Sequence, residues 1–287
     1  MGNESLPATA RLTAAGRAVE NRRADRLFED PLAEVLAGEQ GFRLMEQWRL
    51  PGAPRENPTI GPRTRFYDDL VIDAVADGLS QVVLIAAGMD TRAFRLTLPA
   101  EVIVFELDLA ELLAQKQAIL EQEHAEPRCR RVVVAADLAE NDWPHALTAG
   151  GFDHAARTVF IVEGLSWYLT EEENARLLDD LASLAAPGSR LGIDIISRDH
   201  LESPTSAPFF KFTAALGILW QFGTNDPAGF LAAHGWQAEV TDLDAFARRL
   251  GRWPLPNVPE GLAAHAAESG RSSLHQRQTR SASVLLH

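Results

Sequence analysis

Short apolar runs separated by amphipathic stretches dominate the chain from about residue 80 onward, and they predict strands alternating with helices. The run at residues 81–86 (Val82-Val83-Leu84-Ile85) reads as a buried strand, followed by a turn and a helix at 91–96. Further strands are predicted at 101–107, 131–136, 158–163 and 190–196, a sixth at 236–242 and a last one at 282–286. Helical spacing at 110–124 and 171–185 supplies the crossovers. Ahead of this rhythm, residues 9–49 read as helical, with Leu27, Phe28, Leu32, Val35 and Leu36 on an apolar face and Asp30-Pro31 marking a helix start. Residues 51–62 carry four prolines and two glycines and read as a loop, and 63–79 as a second amphipathic helix.

Strand–helix alternation gives a mainly parallel sheet with right-handed crossovers, and ligands in such folds bind at the carboxyl ends of the strands. With 287 residues, 46% of them hydrophobic, the chain suits one large domain. The expected division is an N-terminal helical cap over residues 1–62 and a Rossmann-like domain over 63–287. An insertion at about 200–225, with Phe209, Phe210, Phe212 and Trp220, breaks the rhythm where a substrate lid would sit. The apolar runs are too short to span a bilayer, and the N-terminal residues lack the basic and apolar regions of a secretory signal. A single cysteine, Cys129, suits a reducing cytoplasm. A net charge of −13 argues against nucleic acid as partner. No His-Glu-x-x-His or paired cysteines offer a metal site, and no Gly-x-Ser-x-Gly or Walker sequence appears.

The strand ends carry the candidate chemistry. The first ends in Ala86-Ala87-Gly88-Met89-Asp90-Thr91, where Gly88 lets the backbone approach a ligand, with Ala86 standing at the first position of the usual Gly-x-Gly. The second ends in Asp108, twenty positions after Gly88, where a carboxylate can take both hydroxyls of a ribose. The same residue also reads as a simple helix N-cap. The third ends in Ala136-Asp137-Leu138, which could meet an adenine amine and ring. The fourth ends in Glu163, a carboxylate whose burial calls for a partner such as an ammonium group.

Taken together, residues 83–96 resemble the signature of the leucine carboxyl methyltransferase family. Arg63-Thr64-Arg65-Phe66-Tyr67-Asp68-Asp69, Phe105-Glu106-Leu107-Asp108, Ala136-Asp137-Leu138 and Glu163-Gly164-Leu165-Ser166-Trp167-Tyr168-Leu169 resemble its other blocks in the family's order. The resemblance implies a Rossmann-like, doubly wound α/β fold with a mainly parallel seven-stranded sheet, its last strand antiparallel. It implies S-adenosylmethionine as cofactor. Arg63 would grip the methionine carboxylate and the backbone at Ala86 to Gly88 would line the amino acid moiety. Asp108 would hold the ribose, Asp137 and Leu138 the adenine, and Glu163 the ammonium. Ala86 departs from the glycine of many members and adds one methyl there.

An activated methyl group needs proximity and orientation more than an elaborate catalytic apparatus. A carboxylate acceptor needs no base, whereas a hydroxyl acceptor would want one. Tyr168 and His200 are the candidate catalytic side chains, although His200 reads more simply as a surface or helix-start residue. The favoured reading is O-methylation of a carboxylate (or hydroxyl) of a small molecule, such as a polyketide-type metabolite, by a monomer or homodimer without a membrane partner. The alternatives are a protein C-terminal carboxyl methyltransferase, a non-catalytic cofactor-binding protein and a nicotinamide oxidoreductase. The last would want a fuller glycine motif and a Tyr-x-x-x-Lys, and the two lysines, Lys116 and Lys211, are badly placed for it.

Overall fold

The computed structural model describes residues 6–47, 59–140, 142–252 and 280–287. Helices α1 (Leu6–Asn21), α2 (Ala33–Gln47) and α3 (Ile60–Ala76) precede the sheet. There follow β1 (Gln81–Ile85), α4 (Arg92–Arg95), β2 (Ile103–Asp108), α5 (Ala110–Gln122), β3 (Arg130–Ala135), α6 (Trp143–Ala149) and β4 (Thr158–Val162). After a 3-10 turn at Ser166–Tyr168 come α7 (Glu171–Leu184), β5 (Arg190–Ile195), α8 (Arg198–Glu202), α9 (Ala207–Ala215), α10 (Pro227–Ala233), β6 (Gln237–Asp242), α11 (Leu243–Arg249) and β7 (Ser281–Leu286).

The helical stretch expected over 9–49 is interrupted. Residues 22–32 leave the helix, so Leu27 and Phe28 do not share a helical face. Asp30 is buried, taking Arg17 Nε at 2.8 Å and Thr91 Oγ1 at 2.7 Å. The expected loop at 51–62 lies outside the described residues up to 58. Its end, Ile60 to Pro62, forms the first turn of α3, where proline's missing N–H costs nothing. The expected cap boundary therefore falls in that turn.

Seven strands form one sheet in the order β3-β2-β1-β4-β5-β7-β6. Period-two alternation divides the core between its faces. Val82 and Leu84 pack with Tyr67 and Val71 of α3 and with Ala14, Ala15 and Leu36 of the first two helices. Val83 and Ile85 pack with Phe105, Phe160 and the α7 residues Leu177, Leu178 and Leu181. Both faces are covered, which is why the strands read as continuous apolar runs.

The expectation of an antiparallel last strand is corrected. β7 runs parallel to both neighbours, with Arg190 opposite Ser281 and Ile195 opposite Leu286. On the other side Gln237 faces Ser281 and Asp242 faces Leu286. A parallel neighbour needs a crossover of about a dozen residues or more, and residues 243–280 supply that length.

Reversal of strand order between β1 and β4 creates the switch point at which their carboxyl ends diverge. Among the described residues, no helix is long and apolar enough to cross a membrane, and no cluster of three or more His, Cys, Asp or Glu is placed to hold a metal.

Candidate functional site

A cavity of about 370 Å³ opens at that switch point, lined by the ends of β1 to β4, by α1 and by α7. Arg63, Ala86, Gly88, Asp108, Asp137, Leu138, Glu163 and Tyr168 all line it. His200 does not. It lies exposed on α8 with its ring edge against Phe210, centroids 5.9 Å apart.

The turn after β1 places its amides by a tight left-handed path, with φ of 52° at Ala86 and 48° at Gly88. At Gly88 a side chain is excluded twice, by this φ and because a Cβ would come within 3.1 Å of the Ala10 Cβ on α1. The Gly88 N–H donates to Asp108 Oδ2 at 2.7 Å, and the Leu109 N–H donates to Oδ1 at 2.7 Å. Burial pushes the Asp108 carboxyl above its usual range, and these two amides oppose the shift. Asp137 stands exposed on the rim, its Oδ1 accepting from the Ala139 N–H at 2.9 Å, with Leu138 half-buried beside it.

At the other end, Arg63 Nε donates to Glu163 Oε1 at 3.0 Å, and Arg92 Nη2 donates to Glu163 Oε2 at 2.8 Å. Burial pushes the Glu163 carboxyl up, but the two guanidiniums outweigh it and hold its pKa below the usual value. Arg92, almost wholly buried, also pairs with Asp90 and meets Asp68 at 2.9 Å. For Asp90 burial is again overcome, chiefly by Arg92, and the pKa falls to about 2. Asp68 in turn takes two bonds from Arg95, at 2.5 and 2.6 Å. Asp194, fully buried on β5, accepts the Gly164 N–H at 2.8 Å and stands 3.7 Å from Arg63 Nη1. The Arg63 guanidinium lies over Gly164, where an added Cβ would be 3.6 Å from two of its nitrogens.

Such a set suits an amino acid zwitterion joined to a nucleoside. A cation and an anion 3.0 Å apart match a carboxylate and an ammonium on one carbon. Asp108 retains lone pairs for a diol after accepting two amides. The family model for leucine carboxyl methyltransferase matches residues 10–182. The chain belongs to the leucine carboxyl methyltransferase family. With that membership it is a methyltransferase, and its cofactor is S-adenosylmethionine.

Among this enzyme's relatives, one from Streptomyces avermitilis is 41% identical over 268 residues, 88% of this chain and 90% of its own. Another, from Frankia alni, is 41% identical over 256 residues, covering 85% and 87%. Both are designated as candidate S-adenosyl-L-methionine-dependent methyltransferases. Of solved structures, a DUF574 family protein from Streptomyces avermitilis shares the fold at a TM-score of 0.51, with 16% identity over 78% of this chain and 81% of its own.

Several site residues escape the strand-end reading. Arg92 and Asp90 sit inside the quoted signature but gain their meaning only through Glu163, 71 positions from Arg92. Asp194 interrupts an apolar strand between Ile193 and Ile195, and such a buried charge was the available signal. Thr13 and Arg17 join from α1, and Arg17 Nη2 donates to the Met89 carbonyl at 2.5 Å.

Proposed function

We propose that this methyltransferase acts on an oxygen of a small molecule, with a carboxylate as the acceptor. Arg63 and Glu163 take the head group of the cofactor, Asp108 its ribose, and Asp137 with Leu138 its adenine. Bound there, S-adenosylmethionine supplies a methyl group on cationic sulfur, which an oxygen takes with its own lone pair while the broken S–C pair stays on sulfur. The chain's contribution is to hold, orient and exclude water.

The observation that carries the carboxylate reading is that the ionisable side chains able to take a proton, among the described residues lining the cavity, are already engaged, Asp180 included, whose carboxylate takes a hydrogen bond from Trp143. No histidine is among them. Glu163 and Asp90 are committed to arginines. Glu173 closes the first turn of α7 through the Thr170 N–H at 2.8 Å. Burial raises the Tyr168 hydroxyl further above its usual value, so it stays protonated near neutral pH and is a poor base. An acceptor that is already ionised needs none of these groups.

Calorimetry should show binding of S-adenosylmethionine and none of NADH, and the reverse would sink the cofactor assignment to these residues. With a methyl-labelled cofactor and small-molecule extracts, the labelled product should release methanol in mild alkali, as a methyl ester does. Label that resists alkali would show that the acceptor is not a carboxylate.

A further inference from the structure

Asp194 is half satisfied. Its Oδ1 accepts the Gly164 N–H, but Oδ2 is buried and has no hydrogen-bond partner among the described residues. Oδ2 stands 3.7 Å from Arg63 Nη1 and 3.7 Å from His287 Nε2. His287 Nε2 is itself buried without a hydrogen-bond partner among the described residues. Buried polar atoms ordinarily find partners, and here an orphaned acceptor and an orphaned ring nitrogen lie within reach of each other.

The ring is held in place by backbone and packing. Because β7 runs parallel to β5, with Ile195 opposite Leu286, its end reaches the carboxyl ends of the strands where the cavity opens. The His287 N–H donates to the Ile195 carbonyl at 2.9 Å, and the His287 carbonyl accepts the Ser197 N–H at 3.0 Å. The imidazole meets the Trp167 ring edge-on, with centroids 5.4 Å apart. His200 on α8 and Asp244 on α11 also feel the charge of this ring, but neither lines the cavity. Asp194 is therefore the charged group through which His287 can act on the site.

Arg63 spends Nε on Glu163, which leaves Nη1 for a second anion. Two carboxylates compete for it: that of Asp194 and that of the cofactor's head group. A bare buried carboxylate both draws the guanidinium and repels an incoming anion, and low-dielectric surroundings strengthen both effects. An N–H placed on Oδ2 weakens them together.

We propose that His287 is a positioning residue for the cofactor: its Nε2–H donates to Asp194 Oδ2 and so keeps Arg63 available to the cofactor's carboxylate. This role rests on Arg63 as the carboxylate grip and names the residue that sets how free that grip is.

The test compares S-adenosylmethionine with 5′-methylthioadenosine, which lacks the amino acid head, by calorimetry on the full chain. His287→Phe keeps a ring against Trp167 and loses the nitrogen. It should weaken S-adenosylmethionine about fivefold or more and leave methylthioadenosine within about twofold, which also reports an intact fold. His287→Gln, which restores an N–H, should bind S-adenosylmethionine within about twofold of wild type. In an Asp194→Asn background, where the competing charge is gone, His287→Phe should change that affinity by less than about twofold. The Tyr67 hydroxyl, also buried and unpartnered and within electrostatic reach of Asp194, is the rival donor. A selective loss from Tyr67→Phe in place of one from His287→Phe overturns the role. So does an equal loss of both ligands in His287→Phe, or a loss that persists without the charge of Asp194. Arg63→Gln separates the two readings. If it leaves S-adenosylmethionine affinity unchanged, Arg63 is not the grip and both readings fall; if it weakens that affinity while His287→Phe does not, only the role of His287 falls.

Discussion

The two ends of the cavity hold their carboxylates by opposite means. Glu163 is gripped by Arg63 and Arg92, and through Arg92 it is tied to Asp68 and Asp90 on two other segments. Among the described residues, Asp108 takes hydrogen bonds only from the amides of Gly88 and Leu109. The pKa directions follow. Arginines win over burial at Glu163, while burial wins over amides at Asp108. One end is fixed by ion pairs between distant segments, and the other by a single turn. The first should therefore carry stability and the second should carry sensitivity to pH.

The largest effect is expected from Arg92→Ala. Removing it leaves Asp68, Asp90 and Glu163 short of a shared cation in a buried place. Breaking a buried pair in this way costs about 3–5 kcal/mol. Urea unfolding without ligand would read that loss directly. A change below about 1 kcal/mol would show that the ionic end is no more locked than the Asp108 end.

A smaller effect, on affinity rather than stability, is expected at Asp108. Asp108→Ala should weaken S-adenosylmethionine by about 1.5–3 kcal/mol, the value of a hydrogen bond to a charged group. It should weaken 5′-methylthioadenosine, which has the ribose but no amino acid head, by as much. Glu163→Gln should weaken only the former. The pH dependence separates the ends again. Because the Asp108 pKa is raised, the carboxylate is lost earlier as pH falls than a free aspartate would be. Methylthioadenosine affinity should thus fall on acidification above the ordinary aspartate range. Glu163 and Asp90, both lowered, remain charged there. Calorimetry from pH 7 downward checks it, and a flat methylthioadenosine profile would contradict the raised Asp108.

The same contrast decides what the sequence discloses. The Asp108 end is local: a strand, a turn with Gly88 and an aspartate at the next strand's end leave a readable spacing. The strands themselves are legible because burial on both faces makes them unbroken apolar runs. The ionic end is assembled from α3, the β1–α4 turn and the ends of β4 and β5, and no spacing announces that Arg92 meets Glu163. Lys116 hides likewise, buried under α5 against Glu106 at 2.8 Å, although a lysine on a helix normally reads as solvent-facing. The direction of β7 is illegible for another reason. Alternation along Ser281–Leu286 is the same whichever way the strand runs, and only the path of the connection decides.

The smallest expected effect tests the turn that holds Asp108. Ala86 adopts φ 52°, a conformation that costs an L-residue with a Cβ about 1–2 kcal/mol. Ala86→Gly removes that strain but gives the unfolded chain more freedom, which returns about 0.4–1 kcal/mol. The net should be a gain of roughly half a kcal/mol, or a rise of about 1–2 °C in Tm for a chain of this size. The carboxylate of Asp108 is bonded to the Gly88 N–H rather than to any atom of the Ala86 side chain, so the variant should leave methylthioadenosine affinity within about twofold. A fall in Tm would mean that the methyl's contacts outweigh the strain. The turn would then be held by packing, as the ionic end is held by its pairs, and the contrast between the two ends would narrow.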